Sequence, residues 1–228
     1  MNTAIIVAAG SGKRFGSDTP KQFLDILGKP VIIHTLERFE ACAEITEVIL
    51  VLAASEIEAF KTIAANYSLT KLVNIVSGGK TRAESVFNGL QAADARTKVI
   101  AVHDGARPLI SFDEITATVL KAEETGAACL TAPLTDTIKQ VSGNEIIGTL
   151  DREYLRRALT PQAFRYEILQ KAFAGSDLGS EATDECYLVE KIGQRIAFVE
   201  GSSKNIKITH AEDLIAAEAF MKSSEFKL

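Results

Sequence analysis

The stretch that decides the fold runs from Ala4 to Gln22 and reads AIIVAAGSGKRFGSDTPKQ. Its first six residues, Ala4 to Ala9, are apolar without a polar face and predict a strand. The strand leads straight into Gly10, Ser11 and Gly12, and the cations Lys13, Arg14 and Lys21 follow. Glycines let a backbone approach a ligand closely, and exposed N–H groups flanked by cations suit phosphate. The loop matches neither familiar phosphate motif. A Walker loop needs a glycine where Val7 stands and a hydroxyl where Arg14 stands. Gly10, Gly12 and Gly16 are spaced G-x-G-x-x-x-G, one residue too long for a dinucleotide fingerprint, and EVILVLA ends without an acidic residue for a ribose.

Outward from that loop, short apolar runs alternate with longer helix-like segments. Strands are predicted over 4–9, 47–53, 72–76, 98–103, 127–132 and 195–199. Several are apolar on both faces, as parallel strands covered by helices on either side must be. Helices are predicted over 30–42, 55–66, 81–94, 112–125, 166–174, 184–192 and 211–222. Pro30 suits a first helical turn, Ser55 an N-cap with Glu58 three residues on, and Thr209 or His210 a cap for the last helix. The alternation predicts an α/β fold with a doubly wound, mostly parallel sheet. One stretch breaks the rhythm: DTIKQVSGNEIIGTL, 136–150, has two β-like runs around Ser-Gly-Asn and predicts a hairpin. That hairpin is either an extension of the sheet edge or an arm, 134–156, that meets another subunit. The expectation is one domain over 1–228 carrying this excursion.

Composition excludes several classes. The 228 residues are 46% hydrophobic and 24% charged, ordinary for a globule. A net charge of −5 argues against a general grip on nucleic acid, so any polyanion site must be local. No stretch approaches the roughly 20 apolar residues of a membrane span. Cys42, Cys129 and Cys186 are scattered, as are His34, His103 and His210, so no zinc set is expected. Free thiols and an N-terminal run of about six apolar residues, too short for a signal peptide, point to the cytoplasm.

Seven further matches follow in order: PKQF at Pro20, GGKTRAESVFNGL at Gly78, VHDGARP at Val102, DTIK at Asp136, LTPQ at Leu159, TDE at Thr183 and EGSSKNIKIT at Glu200. With AAGSGKR they make the chain resemble, over nearly its whole length, the 2-C-methyl-D-erythritol 4-phosphate cytidylyltransferases of the non-mevalonate isoprenoid pathway. The ribitol 5-phosphate cytidylyltransferases share most of these motifs; the AAG of Ala8, Ala9 and Gly10 favours the methylerythritol branch. The resemblance implies a Rossmann-like nucleotidyltransferase fold and cytidylyl transfer from CTP to a sugar-alcohol phosphate, releasing pyrophosphate. It implies Arg14 and Lys21 as catalytic cations at the α-phosphate, with Lys13 and the Gly12 amide on the outer phosphates. It further implies cytosine recognition by Gly79, Ser85 and the Ala8 and Ala9 carbonyls, with Gly10, Asp104 and Gly105 completing the CTP contacts. Asp104, Arg107, Thr137, Arg152 and Lys207 would meet the acceptor, Thr137 and Arg152 by reaching into a partner's site in an arm-exchanged homodimer. Mg²⁺ would be held mainly by phosphates, with Asp104 as its one candidate protein ligand. Lys80 departs from an acidic residue found in some members, which leaves its effect on CTP open; Arg82 reads as orienting its segment, and His103 as structural. The alternative of another class is a nucleotide-binding regulator that lost the chemistry. The presence of Arg14, Lys21, Asp104 and Lys207 argues against it.

Overall fold

Strands that are apolar on both faces can be satisfied only between two helical layers, and the computed structural model of the chain, which describes residues 1–10, 20–175 and 184–223, has that arrangement. Along the chain come β1 (Asn2–Val7), the short pair β2 (Asp25–Ile26) and β3 (Lys29–Pro30), α1 (Val31–Ala41), β4 (Glu47–Leu52), α2 (Ile57–Ala64), β5 (Leu72–Ser77) and α3 (Arg82–Gln91). They are followed by β6 (Val99–Asp104), α4 (Phe112–Thr125), β7 (Ala127–Pro133), β8 (Ile138–Ser142), β9 (Glu145–Leu150), β10 (Arg156–Arg165), α5 (Tyr166–Ala174), α6 (Glu185–Lys191), β11 (Ala197–Glu200) and α7 (Ala211–Lys222).

The main sheet has the order β11-β7-β10-β6-β1-β4-β5. β1 runs parallel to β4 and β6, β4 to β5, and β11 to β7. β10 alone is antiparallel to both of its neighbours, β6 and β7. Side chains of β1 alternate between the two layers. Ala4 and Ile6 join the α1, α2 and α4 side with Leu36, Phe39 and Phe60, whereas Ile5 joins the α3, α5 and α6 side with Val86 and Phe173. The chain leaves β1 in one direction towards β4 and later returns on its other side as β6. That reversal opens a crevice beyond the carboxyl ends of β1 and β6, where open α/β sheets hold their ligands.

The predicted strands and helices are present with their ends moved by a few residues. β1 stops at Val7, so Ala8 and Ala9 belong to the turn rather than to the strand. Two capping expectations change, at Pro30 and Ser55, whereas His210 is the N-cap of α7 as expected. Pro30 stands just before α1, Ser55 lies in a 3₁₀ turn over Ala54–Glu56, and α2 starts at Ile57 without a side-chain cap. At α7 the Asp213 carboxylate accepts the N–H groups of both Thr209 and His210. β10 was not expected, because RRALTPQAFR mixes arginines, a proline and a glutamine. Its pairing to β7 slips between Ala158 and Gln162, and that irregularity accommodates Pro161, which has no N–H for a ladder. The predicted hairpin is β8 and β9, a separate two-stranded sheet whose turn places Gly143 at φ +56°. It presents Val141, Ile146 and Ile147 to solvent. Cys42, Cys129 and Cys186 are free and buried. Among the described residues no helix is long and apolar enough to cross a membrane.

Candidate active site

Backbone pairing continues past the strand ends and fixes the turns of the crevice. The Ala8 N–H donates to Val51 O (2.8 Å) and the Gly105 N–H to Val7 O (2.9 Å). A Cβ on Gly105 would stand 2.8 Å from Ile32 Cδ1 and 2.9 Å from Ala8 Cβ, so only glycine lets these turns meet. Gly78 is closed in the same way by Ala9 and Ser85. Between the turns lies a cavity of about 470 Å³. Ala8, Ala9 and Gly10 form one wall, Gly79, Lys80, Arg82 and Ser85 another, and Asp104, Lys21 and Lys207 converge on it.

Asp104, nearly buried at the end of β6, is surrounded by cations. Its Oδ2 lies 3.0 Å from Lys207 Nζ and 3.2 Å from Arg107 Nε, and its Oδ1 lies 3.4 Å from Arg82 Nε. Burial opposes the carboxylate's charge, but Arg82, Lys207 and Arg107 together outweigh it and hold its pKa well below the usual range. Asp104 is therefore a permanent anion and cannot serve as a proton donor near neutral pH. Arg82 also gives its NH1 to Glu185 Oε1 at 2.6 Å. Burial works against the Arg82 charge, yet Glu185 and Asp104 raise its pKa further. Burial raises the Glu185 pKa, and Arg82 opposes that rise.

Behind Asp104 a neutral network sets its backbone. Thr160 Oγ1 accepts the Asp104 N–H (3.1 Å) and lies 3.0 Å from His103 Nδ1; because His103 Nε2 faces the Arg107 carbonyl, a neutral ring carries its proton on Nε2 and Nδ1 accepts from the Thr160 hydroxyl. His103 Nε2–H then donates to Arg107 O (3.2 Å). Burial lowers the His103 pKa to about 4, which matches an uncharged ring held between one acceptor and one donor contact. Asn205, also buried, donates from Nδ2 to Thr160 O, and its backbone carbonyl accepts from Arg107 NH1 (2.8 Å).

The other wall is a helix start. Thr81 caps α3 by accepting the Glu84 N–H. Ser85 Oγ accepts the Gly79 N–H (3.1 Å) and donates to Thr81 O (2.9 Å). Its single proton is committed, so Ser85 offers a ligand only a remaining lone pair.

Of the residues singled out from sequence, Ala8, Ala9, Gly10, Lys21, Gly79, Ser85, Asp104 and Lys207 come together at the cavity. Lys21 Nζ also donates to Ile208 O (2.8 Å), tying the first loop to the segment that carries Lys207. Gly105 and Arg107 stand behind the cavity, Gly105 as spacer and Arg107 as a partner of Asp104. Gly12, Lys13 and Arg14 lie outside the described residues. Thr137 and Arg152 belong to the hairpin region and do not line the cavity; Arg152 NH1 donates to Thr135 O at 2.7 Å.

The sequence model of the 2-C-methyl-D-erythritol 4-phosphate cytidylyltransferase family matches residues 2–223. The chain belongs to this family. A 2-C-methyl-D-erythritol 4-phosphate cytidylyltransferase from Bacillus velezensis is 43% identical over 221 residues, covering 96% of this chain and 95% of that protein. One from Alkaliphilus oremlandii is 41% identical over 224 residues, with 97% and 95% covered. A crystal structure of 4-diphosphocytidyl-2C-methyl-D-erythritol synthase from Anaerococcus prevotii superposes with a TM-score of 0.86 at 28% identity, covering 98% of this chain and 96% of that one. The Thermus thermophilus cytidylyltransferase gives 0.76 at 30% identity, with 98% and 100% covered.

As a cytidylyltransferase the chain contains groups at its site that sequence reasoning left without a part. Glu185 and Gln162 sit in the TDE and LTPQ motifs, and Asn205 in EGSSKNIKIT, but each acts across the fold. The Arg82–Glu185 pair joins positions 103 residues apart, a contact no local pattern announces.

Proposed function

We propose that the chain transfers the cytidylyl group of CTP to 2-C-methyl-D-erythritol 4-phosphate, giving 4-diphosphocytidyl-2-C-methyl-D-erythritol and pyrophosphate, in isoprenoid precursor synthesis. The family match over residues 2–223 carries this conclusion. The cavity between the glycine turns, with Lys21 and Lys207 on it, supports it chemically. An acceptor phosphate oxygen attacks the α-phosphorus of CTP in line. The bond from that phosphorus to the bridging oxygen breaks, and pyrophosphate leaves with the electron pair. The acceptor phosphate is already ionised near neutral pH, so no strong base is required. The difficulty is electrostatic: one anion must approach another while charge builds on the equatorial oxygens. In this account Arg14 and Lys21 stabilise the α-phosphate, Lys13 and the Gly12 amide hold the outer phosphates, and Lys207 meets the acceptor phosphate. Ser85, with a lone pair left, accepts from an amino group on the base edge, and the Ala8 and Ala9 carbonyls frame the same edge.

A divalent ion such as Mg²⁺, held mainly by the triphosphate itself, would supply charge shielding at the phosphate oxygens. Asp104 is a poor ligand for it, because Arg82, Arg107 and Lys207 already surround that carboxylate and would repel a second positive ion. The described residues also hold no cluster of three His, Cys, Asp or Glu side chains fit for a metal. We place Thr137 and Arg152 at the acceptor site of a partner subunit in a homodimer. The exposed Ile146 and Ile147 on the hairpin suit such a contact. Three free thiols suit the reducing cytoplasm. Incubation with CTP, Mg²⁺ and the methylerythritol phosphate tests the proposal: pyrophosphate release is expected, at a higher kcat/KM than with ribitol 5-phosphate. No release with this acceptor, or preference for ribitol 5-phosphate, would remove it.

A further inference from the structure

The ion cluster behind the cavity contains one arrangement that the transfer chemistry does not by itself explain. Arg82 lines the cavity, and a guanidinium fork is the side chain best shaped to seize a phosphate. Yet Arg82 is turned away from that task. Its NH1 lies 2.6 Å from Glu185 Oε1, a carboxylate only 1% exposed, and its Nε points to Asp104 Oδ1 at 3.4 Å. Lys207 instead shares Asp104 Oδ2 with Arg107.

Glu185 is itself clamped. Gln162, 1% exposed on β10, donates from Nε2 to Asp184 Oδ2 (2.8 Å) and accepts at Oε1 from the Cys186 N–H (3.0 Å). The two contacts grip the residues on either side of Glu185. Gln162 also pairs in register with Val102 of β6, two residues before Asp104. One strand neighbour thus sets the distance between α6, which carries Glu185, and the end of β6, which carries Asp104.

We propose that Glu185 and Gln162 are positioning residues of the transfer reaction, holding Arg82 on Asp104 so that Lys207 is released to the incoming phosphate. The charge logic is direct. When an anionic substrate arrives, a cation must leave Asp104, and the carboxylate must not be left bare in a nearly buried place. Arg82 and Arg107 remain as its counter-ions, and the lysine, a point charge on a flexible stem and 35% exposed, turns outward. Without Glu185 the assignment inverts. Arg82 swings onto the phosphates, Lys207 stays on Asp104, and substrate is bound in a geometry that does not react.

This inference rests on the cytidylyltransferase reading, and the experiment separates the two. Glu185→Gln, Lys207→Ala and the double variant are compared with the native chain for kcat, for both KM values and for Tm. Glu185→Gln is expected to lower kcat by about 10-fold to 100-fold while KM for CTP stays level or falls. In the Lys207→Ala background the same change is expected to cost less than about twofold, because the lysine it serves is gone. Gln162→Met is expected to move kcat in the same direction by less. Should Glu185→Gln fail to fold, Arg82→Lys carries the test, since one ammonium cannot span Glu185 and Asp104. A merely structural role would lower Tm and the active fraction, leave the KM-against-kcat split unmoved, and give losses that multiply in the double variant. Multiplying losses, or an unchanged kcat in Glu185→Gln, would overturn the inference while leaving the activity in place. A native chain that releases no pyrophosphate would instead remove the function on which it rests.

Discussion

At the residue scale the site depends on charges whose state is fixed by neighbours rather than by solvent. His103 illustrates the cost. Its folded pKa of about 4 lies below its ordinary 6.5, so the unfolded chain binds a proton that the folded chain refuses. Stability from this group is therefore fully present above pH 6.5 and declines as pH falls towards 4, by roughly 3 kcal/mol in all. Glu185, raised by burial, opposes part of that decline at the acid end. Urea unfolding at pH 7, 5.5 and 4.5 should show the loss, and His103→Gln should flatten it; an equal slope in the variant would contradict the assignment. Gly105→Ala would press a methyl against Ile32 and Ala8, costing roughly 1–3 kcal/mol and raising KM for CTP. An unchanged Tm and KM would show that the two turns can separate freely. Lys21→Ala and Arg14→Ala should each lower kcat on the order of 10²-fold. A higher KM at native kcat would assign them to ground-state binding instead.

At the element scale the sequence was most legible where a strand is covered on both faces. VILVL of Val48–Leu52 and VIAV of Val99–Val102 are apolar throughout and predict β4 and β6, because parallel central strands have no wet side. The hairpin was legible from Ser-Gly-Asn between two β-like runs. β10 was not, because its polar residues are satisfied by partners distant in sequence: Thr160 by His103 and Asp104, Gln162 by Asp184 and Cys186. The Arg82–Glu185 pair was hidden for the same reason, since charge pairing across a fold leaves no period. The glycine turns and Lys21 were visible from residue type and spacing, and the resemblance supplied Lys207. For the hairpin region, Arg152→Ala should weaken acceptor use by roughly tenfold to a hundredfold in KM, as loss of a charged hydrogen bond implies, with little effect on CTP. Equal losses for both substrates would move Arg152 out of the acceptor site.

At the scale of the whole molecule, a chain of net charge −5 can receive two anionic substrates because Lys21, Lys80, Arg82 and Lys207 stand together at one crevice of the sheet. Thr137 and Arg152 stay off that crevice within a single chain, so the account requires a second copy to complete it. Mixing Arg152→Ala protein with Lys21→Ala protein should recover activity, since a hybrid dimer keeps one intact site; no recovery after proven subunit exchange would contradict shared sites. The most direct measurement is a crystal structure with CTP bound. The account predicts the triphosphate beside Lys21 at the carboxyl ends of β1 and β6, the cytosine edge against Gly79 and Ser85, and Arg82 still on Asp104. A triphosphate bound away from that crevice would contradict it.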